Sequence, residues 1–80
     1  MGLLPKILHE LEMLFHGIEF DYSHIESIEL DGNTVVFTTS RPGLLIGAKG
    51  RTIDKVVKVL KDNVDSELTT MIVEFNLFAR

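Results

Sequence analysis

The chain contains no cysteine and no tryptophan, has two prolines among its 80 residues, and has no apolar run of membrane-spanning length. Lack of cysteine excludes a disulfide framework and a thiolate metal site, and it fits a reducing, cytoplasmic setting. A spanning helix needs about 18–20 consecutive apolar residues, so no membrane partner is expected. The N-terminus, Met1-Gly2-Leu3-Leu4-Pro5-Lys6, lacks the basic stretch, long apolar region and small-residue cleavage site of a secretory leader. Lys6 also stands where a myristoylation signal carries Ser or Thr. Aromatic residues make up only 8%, and none falls between positions 41 and 61.

What is present is an ordinary globular composition, 45% hydrophobic and 25% charged. Residues 1–80 read as one domain, which at this size buries roughly 60–65% of its unfolded surface. The net charge of −4 hides a sharp division. Positions 41–61 hold six basic side chains (Arg41, Lys49, Arg51, Lys55, Lys58, Lys61) against one acid, Asp54, a local balance of +5. The rest of the chain holds two basic residues, Lys6 and Arg80, against eleven acids, a balance of −9. Screening limits the reach of a charge to about 8–10 Å, so local charge outweighs the average when a polyanion approaches. The basic segment suits a short nucleic-acid stretch, and the acidic remainder disfavours coating of a long one.

Within that segment, Arg41-Pro42-Gly43-Leu44-Leu45-Ile46-Gly47-Ala48-Lys49-Gly50-Arg51 places a two-glycine turn before an amphipathic helix. Gly47 and Gly50 permit close backbone approach, and the uncovered N–H groups at the start of the helix suit a phosphate. The periodicity predicts a first helix over residues 3–16, with Leu4, Ile7, Leu8, Leu11, Leu14 and Phe15 as its apolar stripe. Gly17 is its expected stop and Ile18 a contact just beyond it. Two strands flank the turn Asp31-Gly32-Asn33. Ile28 and Leu30 share a face of the first. Thr34 to Thr39 forms the second, with Val35 and Phe37 inward and Val36 outward. Leu44–Ile46 is one helical turn. Ile53, Val56, Val57, Leu60 and Val64 mark a further helix, in which Asp54 and Lys58 form a favourable i,i+4 pair. Residues 62–68 are a polar connection. A last strand alternates Met71, Val73, Phe75 and Leu77, read as its inner face, with Thr70, Ile72, Glu74 and Asn76.

This α-β-β-α-α-β order, with Leu45-Ile46-Gly47-Ala48-Lys49-Gly50 between two helices, resembles a type II KH domain over nearly the whole chain. The KH domains of a small-subunit ribosomal protein and of Era-family GTPases are similar. The resemblance implies an α+β fold, a three-stranded mixed sheet with three helices on one face. It also implies a cleft for about four single-stranded nucleotides, their backbone clamped by the GxxG loop. In that reading Gly47, Ala48 and Gly50 shape the loop, and Lys49 and Arg51 attract phosphate. Ile46 and Ile53, with Val57, floor the cleft, Lys55 flanks it, and Arg41 approaches from the strand end. The expected partner is single-stranded RNA, with nothing in the chain separating it from single-stranded DNA. One basic residue in the loop and no aromatic in the segment imply a light grip.

Other readings fit less well. A P-loop needs glycine where Leu45 stands and lysine where Arg51 stands, and a dinucleotide fingerprint needs a full βαβ unit. His9, Glu12 and His16 share a helix side but lack the order of a metalloprotease helix, so they read as solvated. His24 has no evident partner. No serine or cysteine nucleophile is placed beside a histidine in a recognisable catalytic pattern, so neither an enzyme nor a cofactor is expected. The competing reading is protein contact, including a homodimer, through the first helix or the sheet's outer face, where Val36, Ile72 and Phe78 fall. Such a contact would also raise RNA affinity through avidity.

Overall fold

The structure, a computed structural model, describes residues 2–75. Its elements are α1 (Leu4–Gly17), β1 (Ile25–Asp31), β2 (Thr34–Thr39), α2 (Pro42–Ile46), a single 3-10 turn at Ala48–Gly50, α3 (Arg51–Asn63) and β3 (Thr69–Glu74). α1 and α3 are full-length helices, whereas α2 is little more than one turn. The sheet order is β1-β2-β3, with β1 antiparallel and β3 parallel to the central β2. A parallel neighbour cannot be reached by a tight turn, and the α2–α3 segment supplies the long crossover. Among the described residues no helix is long and apolar enough to cross a membrane.

One core joins Ile7, Leu11 and Phe15 of α1, Val35 and Phe37 of β2, Leu45 of α2, Val56 and Leu60 of α3, and Leu68. The i,i+4 spacing of Ile7, Leu11 and Phe15 brings them onto one line down α1. Leu8, read as part of that stripe, stays 42% exposed. Gly17 is the last residue of α1, and the left-handed residue that turns the chain away is Glu19, at φ +53°. Ile18 packs against the core just past the helix, as its place in the stripe predicts. Asn63 Nδ2 donates to Glu10 Oε1 at 3.3 Å, linking α3 to α1.

In β1, Ile25, Ile28 and Leu30 all pack on the core. A spacing of three residues would normally put Ile25 and Ile28 on opposite faces, but a bulge between Ile25 and Ser27 restores the alignment. The facing of β3 reverses the sequence-based expectation. Phe37 pairs with Ile72 and Val36 with Met71. Directly paired residues point to the same side of a sheet, so Ile72 joins the core, while Met71, Val73 and Phe75 are exposed. Leu77, Asn76 and Phe78 lie outside the described residues. The connection before β3 is shorter than predicted, since α3 runs to Asn63. It is also not wholly polar, because Leu68 is buried.

Candidate nucleic-acid interface

The approach to the glycine loop is fixed by a buried polar junction. Thr39 Oγ1, at the end of β2, donates its single proton to the His24 carbonyl at 3.0 Å and accepts the Arg41 backbone N–H at 3.1 Å. In its 2.7 Å contact with His24 Nδ1 the ring nitrogen is therefore the donor and Thr39 Oγ1 the acceptor. His24 thus has a partner that its sequence position did not reveal. The junction ties the start of β1 to Arg41, the residue capping α2.

Beyond it, Pro42 opens α2 and Leu45 anchors it in the core. Gly47 N–H donates to the Gly43 carbonyl at 2.9 Å and ends the helix. Gly47 then lies at φ +80°, ψ 170°, a region essentially reserved for glycine. Lys49 (φ 56°, ψ 27°) and Gly50 (φ 78°, ψ 15°) follow in left-handed conformations. The two glycines have different tasks. A Cβ on Gly47 would stand 2.5 Å from Thr52 Oγ1 and 2.8 Å from the Thr52 nitrogen, so its bareness lets the loop close on the first turn of α3. Around Gly50 the nearest atom to such a Cβ is Asp54 Oδ2, at 4.0 Å, so that side is open.

α3 begins at Arg51 with no side chain capping its N-terminus. The Arg51 N–H is taken by the Ala48 carbonyl of the preceding turn, and the next N–H groups, at the positive dipole end, have no capping side chain. Lys49, Arg51 and Lys55 are exposed and, among the described residues, form no salt bridge. The anticipated Asp54–Lys58 pair does not form. Lys58 Nζ instead meets Asp62 Oδ2 at 3.2 Å, an exposed i,i+4 pair worth about 0.5 kcal/mol or less. Because Lys58 is partnered, the positive charge concentrates at the loop end of α3.

The expected site residues separate into two groups. Ala48, Arg51 and Lys55 line a groove of about 370 Å³ together with Leu44 and the Ile18–Asp21 connection. Ile46, Gly47, Lys49, Gly50, Ile53 and Arg41 do not line it. Ile46 is 40% exposed, whereas Ile53 is half-buried and packs on the core, so less of its surface is available to a base. The second wall of the groove, with Glu19, Phe20 and Asp21, was not legible in the sequence, because it comes from the far end of α1. It brings an aromatic ring and two carboxylates beside a segment lacking aromatics. The Ser23 backbone N–H donates to Asp21 Oδ1 at 3.0 Å and holds that carboxyl below its usual range. Asp21 therefore stays ionised and bounds the positive region on that flank.

The family described as KH domain matches residues 10–76. The small ribosomal subunit proteins uS3 of Borrelia hermsii and Borrelia duttonii are each 37% identical to this chain over 81 residues, covering 90% of it and 29% of their own length. That of Borreliella burgdorferi is 36% identical over 70 residues, covering 85% of this chain and 24% of its own length. The chain thus spans less than a third of the curated relatives it matches. The matched region takes in α3, β3, the whole hairpin, most of α1 and the loop between the glycines, and the chain belongs to the KH domain family.

Proposed function

We propose that this chain binds RNA, gripping a short single strand at the Gly47–Gly50 loop and the first turns of α3. The observation that carries this reading is an uncapped helix N-terminus behind two positive-φ glycines, set in the one segment of net positive charge. Backbone N–H groups of residues 52 and 53 would donate to phosphate oxygens, and Lys49, Arg51 and Lys55 would supply charge along the strand. Ile46, with part of Ile53 and Val57, would offer the bases an apolar surface, and Arg41 would stand at its edge. The uS3 relatives are proteins of the small ribosomal subunit, which supports RNA as the partner class. Asp54 and Asp21 lie close to the path and would keep the grip light.

The test pairs Ala48→Asp with Lys49→Asp in one variant. Asp tolerates the left-handed conformation at position 49, so circular dichroism should stay native while binding of a labelled RNA oligonucleotide, read by fluorescence anisotropy, is lost. Unchanged RNA affinity with a native spectrum would remove the loop from the site.

A second reading, docking of a protein on the sheet's outer face, draws on the exposed Met71, Val73 and Phe75. Salt separates the two. Phosphate contacts weaken steeply as salt rises, and an apolar contact does not.

A further inference from the structure

A groove larger than the one beside the glycine loop lies between α1 and β1. It has a volume of about 550 Å³, with Leu8, Phe15, Tyr22, Ile25 and Ile28 as its apolar surface and Glu12 at its side. That size is within the range of built ligand sites, roughly 300–1,000 Å³. Leu8 and Tyr22 remain 42% and 43% exposed along it, in a domain small enough to need its apolar area for the core. Among the described residues β1 forms the adjacent edge of the sheet, with β2 as its only strand neighbour. Alternate N–H and C=O groups of β1 therefore point away from the sheet without a ladder partner.

Charge identifies what could add there. From Ile7 to Ser40 the chain has seven carboxylates and no lysine or arginine. Three of the seven, Glu26, Glu29 and Asp31, stand exposed on β1 itself. Two β1 edges brought together would collect six carboxylates, so the edge repels a second copy of this chain. RNA is repelled by the same field. A cationic strand is attracted, and the charges that guard the edge against self-pairing thereby become its selectivity. The bulge at Glu26 interrupts regular pairing and leaves Ser27–Asp31 as the usable run, about 17 Å of strand.

We propose that the β1 edge and the groove beside it form a docking site for an extended polypeptide segment of alternating basic and apolar residues. The segment adds to the sheet as a fourth strand. Its backbone pairs with Ser27–Asp31, and its apolar side chains fall on the helix side, into the groove, as strand-adding peptides gain affinity from the main chain and specificity from pockets. Its basic side chains fall on the opposite face, where β1 carries Glu29 and Asp31. The site is separate from the glycine loop and stands whether or not the loop binds RNA.

The probe is a labelled peptide of sequence Lys-Val-Lys-Leu-Lys-Val-Lys, titrated against the whole chain at low salt. It should bind at least about tenfold more tightly than its Glu-for-Lys counterpart, and Glu29→Lys in the protein should weaken it about fivefold. Backbone N-methylation of the peptide tests strand addition without touching the protein. Methylation at the residues whose N–H pairs with β1 should cost about tenfold or more, and at the intervening residues little. NMR shifts should cluster at Leu8, Ile25 and Ile28. The proposal is overturned by any of these results: no saturable binding, equal loss from both methylation patterns, shifts centred on residues 47–51, displacement of the peptide by an RNA oligonucleotide, or a dimer that the peptide dissociates.

Discussion

At Gly47 two independent constraints coincide, a backbone region closed to side chains and a Thr52 atom 2.5 Å from where a Cβ would stand. Gly50 carries only the first, in the milder left-handed form. Gly47→Ala should therefore cost about 2–4 kcal/mol and Gly50→Ala about 1 kcal/mol. In a domain this size each kcal/mol moves Tm by about 4–8 °C, so thermal melts followed by circular dichroism will rank the two. Equal losses would show that Thr52 does not press on the loop. Lys49 is the informative contrast, because it holds a left-handed conformation that glycine would adopt without strain. Lys49→Gly should leave Tm unchanged or slightly higher while weakening RNA binding and lowering its salt slope by about one contact. A fall in Tm with unchanged affinity would make Lys49 a structural residue instead.

Among the elements, the helices and the hairpin were legible because each carries a single dominant period. Ile7, Leu11 and Phe15 recur every four residues, Val35 and Phe37 every two, and the Asp31-Gly32-Asn33 turn sits between strands at Gly32 φ +62°. β3 was not legible in the same way. Met71, Val73 and Phe75 fill one parity, Ile72 stands between Thr70 and Glu74 in the other, and counting hydrophobic side chains favours the first as the inner face. What decides is the parallel pairing with β2, which puts Ile72 beside Phe37, and no local pattern reports that register. The loop glycines and lysines were readable from spacing and charge, whereas Phe20 and Asp21 reach the neighbouring groove only through the packing of α1 on α3. The facing of β3 has a direct test. Ile72→Ala, which opens the edge of the core, should cost about 1–2 kcal/mol, and Met71→Ala less than about 0.5 kcal/mol. Urea titrations of the two variants will show the order, and the reverse order would restore the facing inferred from alternation.

Across the whole molecule, the extents are 36 × 26 × 19 Å, each dimension at least about two Debye lengths at physiological salt. The positive field at the start of α3 is therefore local, ending at the groove where Glu19 and Asp21 face Arg51 and Lys55, and the −4 net charge describes neither side of it. A polyanion held at the loop gains nothing by extending over the rest of the surface. If Lys49, Arg51 and Lys55 each neutralise one phosphate of a single strand, log K should fall with log salt at a slope of about −2, a loss of roughly 15-fold between 50 and 200 mM. Affinity should rise as an RNA lengthens to about four nucleotides, the span that a KH loop clamps. Beyond that it should grow only with the number of binding registers, so a 20-mer gains at most about 17-fold over a 4-mer. Anisotropy titrations over a length series at two salt concentrations measure both quantities. A slope well beyond −2 together with affinity that keeps climbing past the register count would mean that the strand follows a second surface, and the charge division would no longer account for how this domain holds RNA.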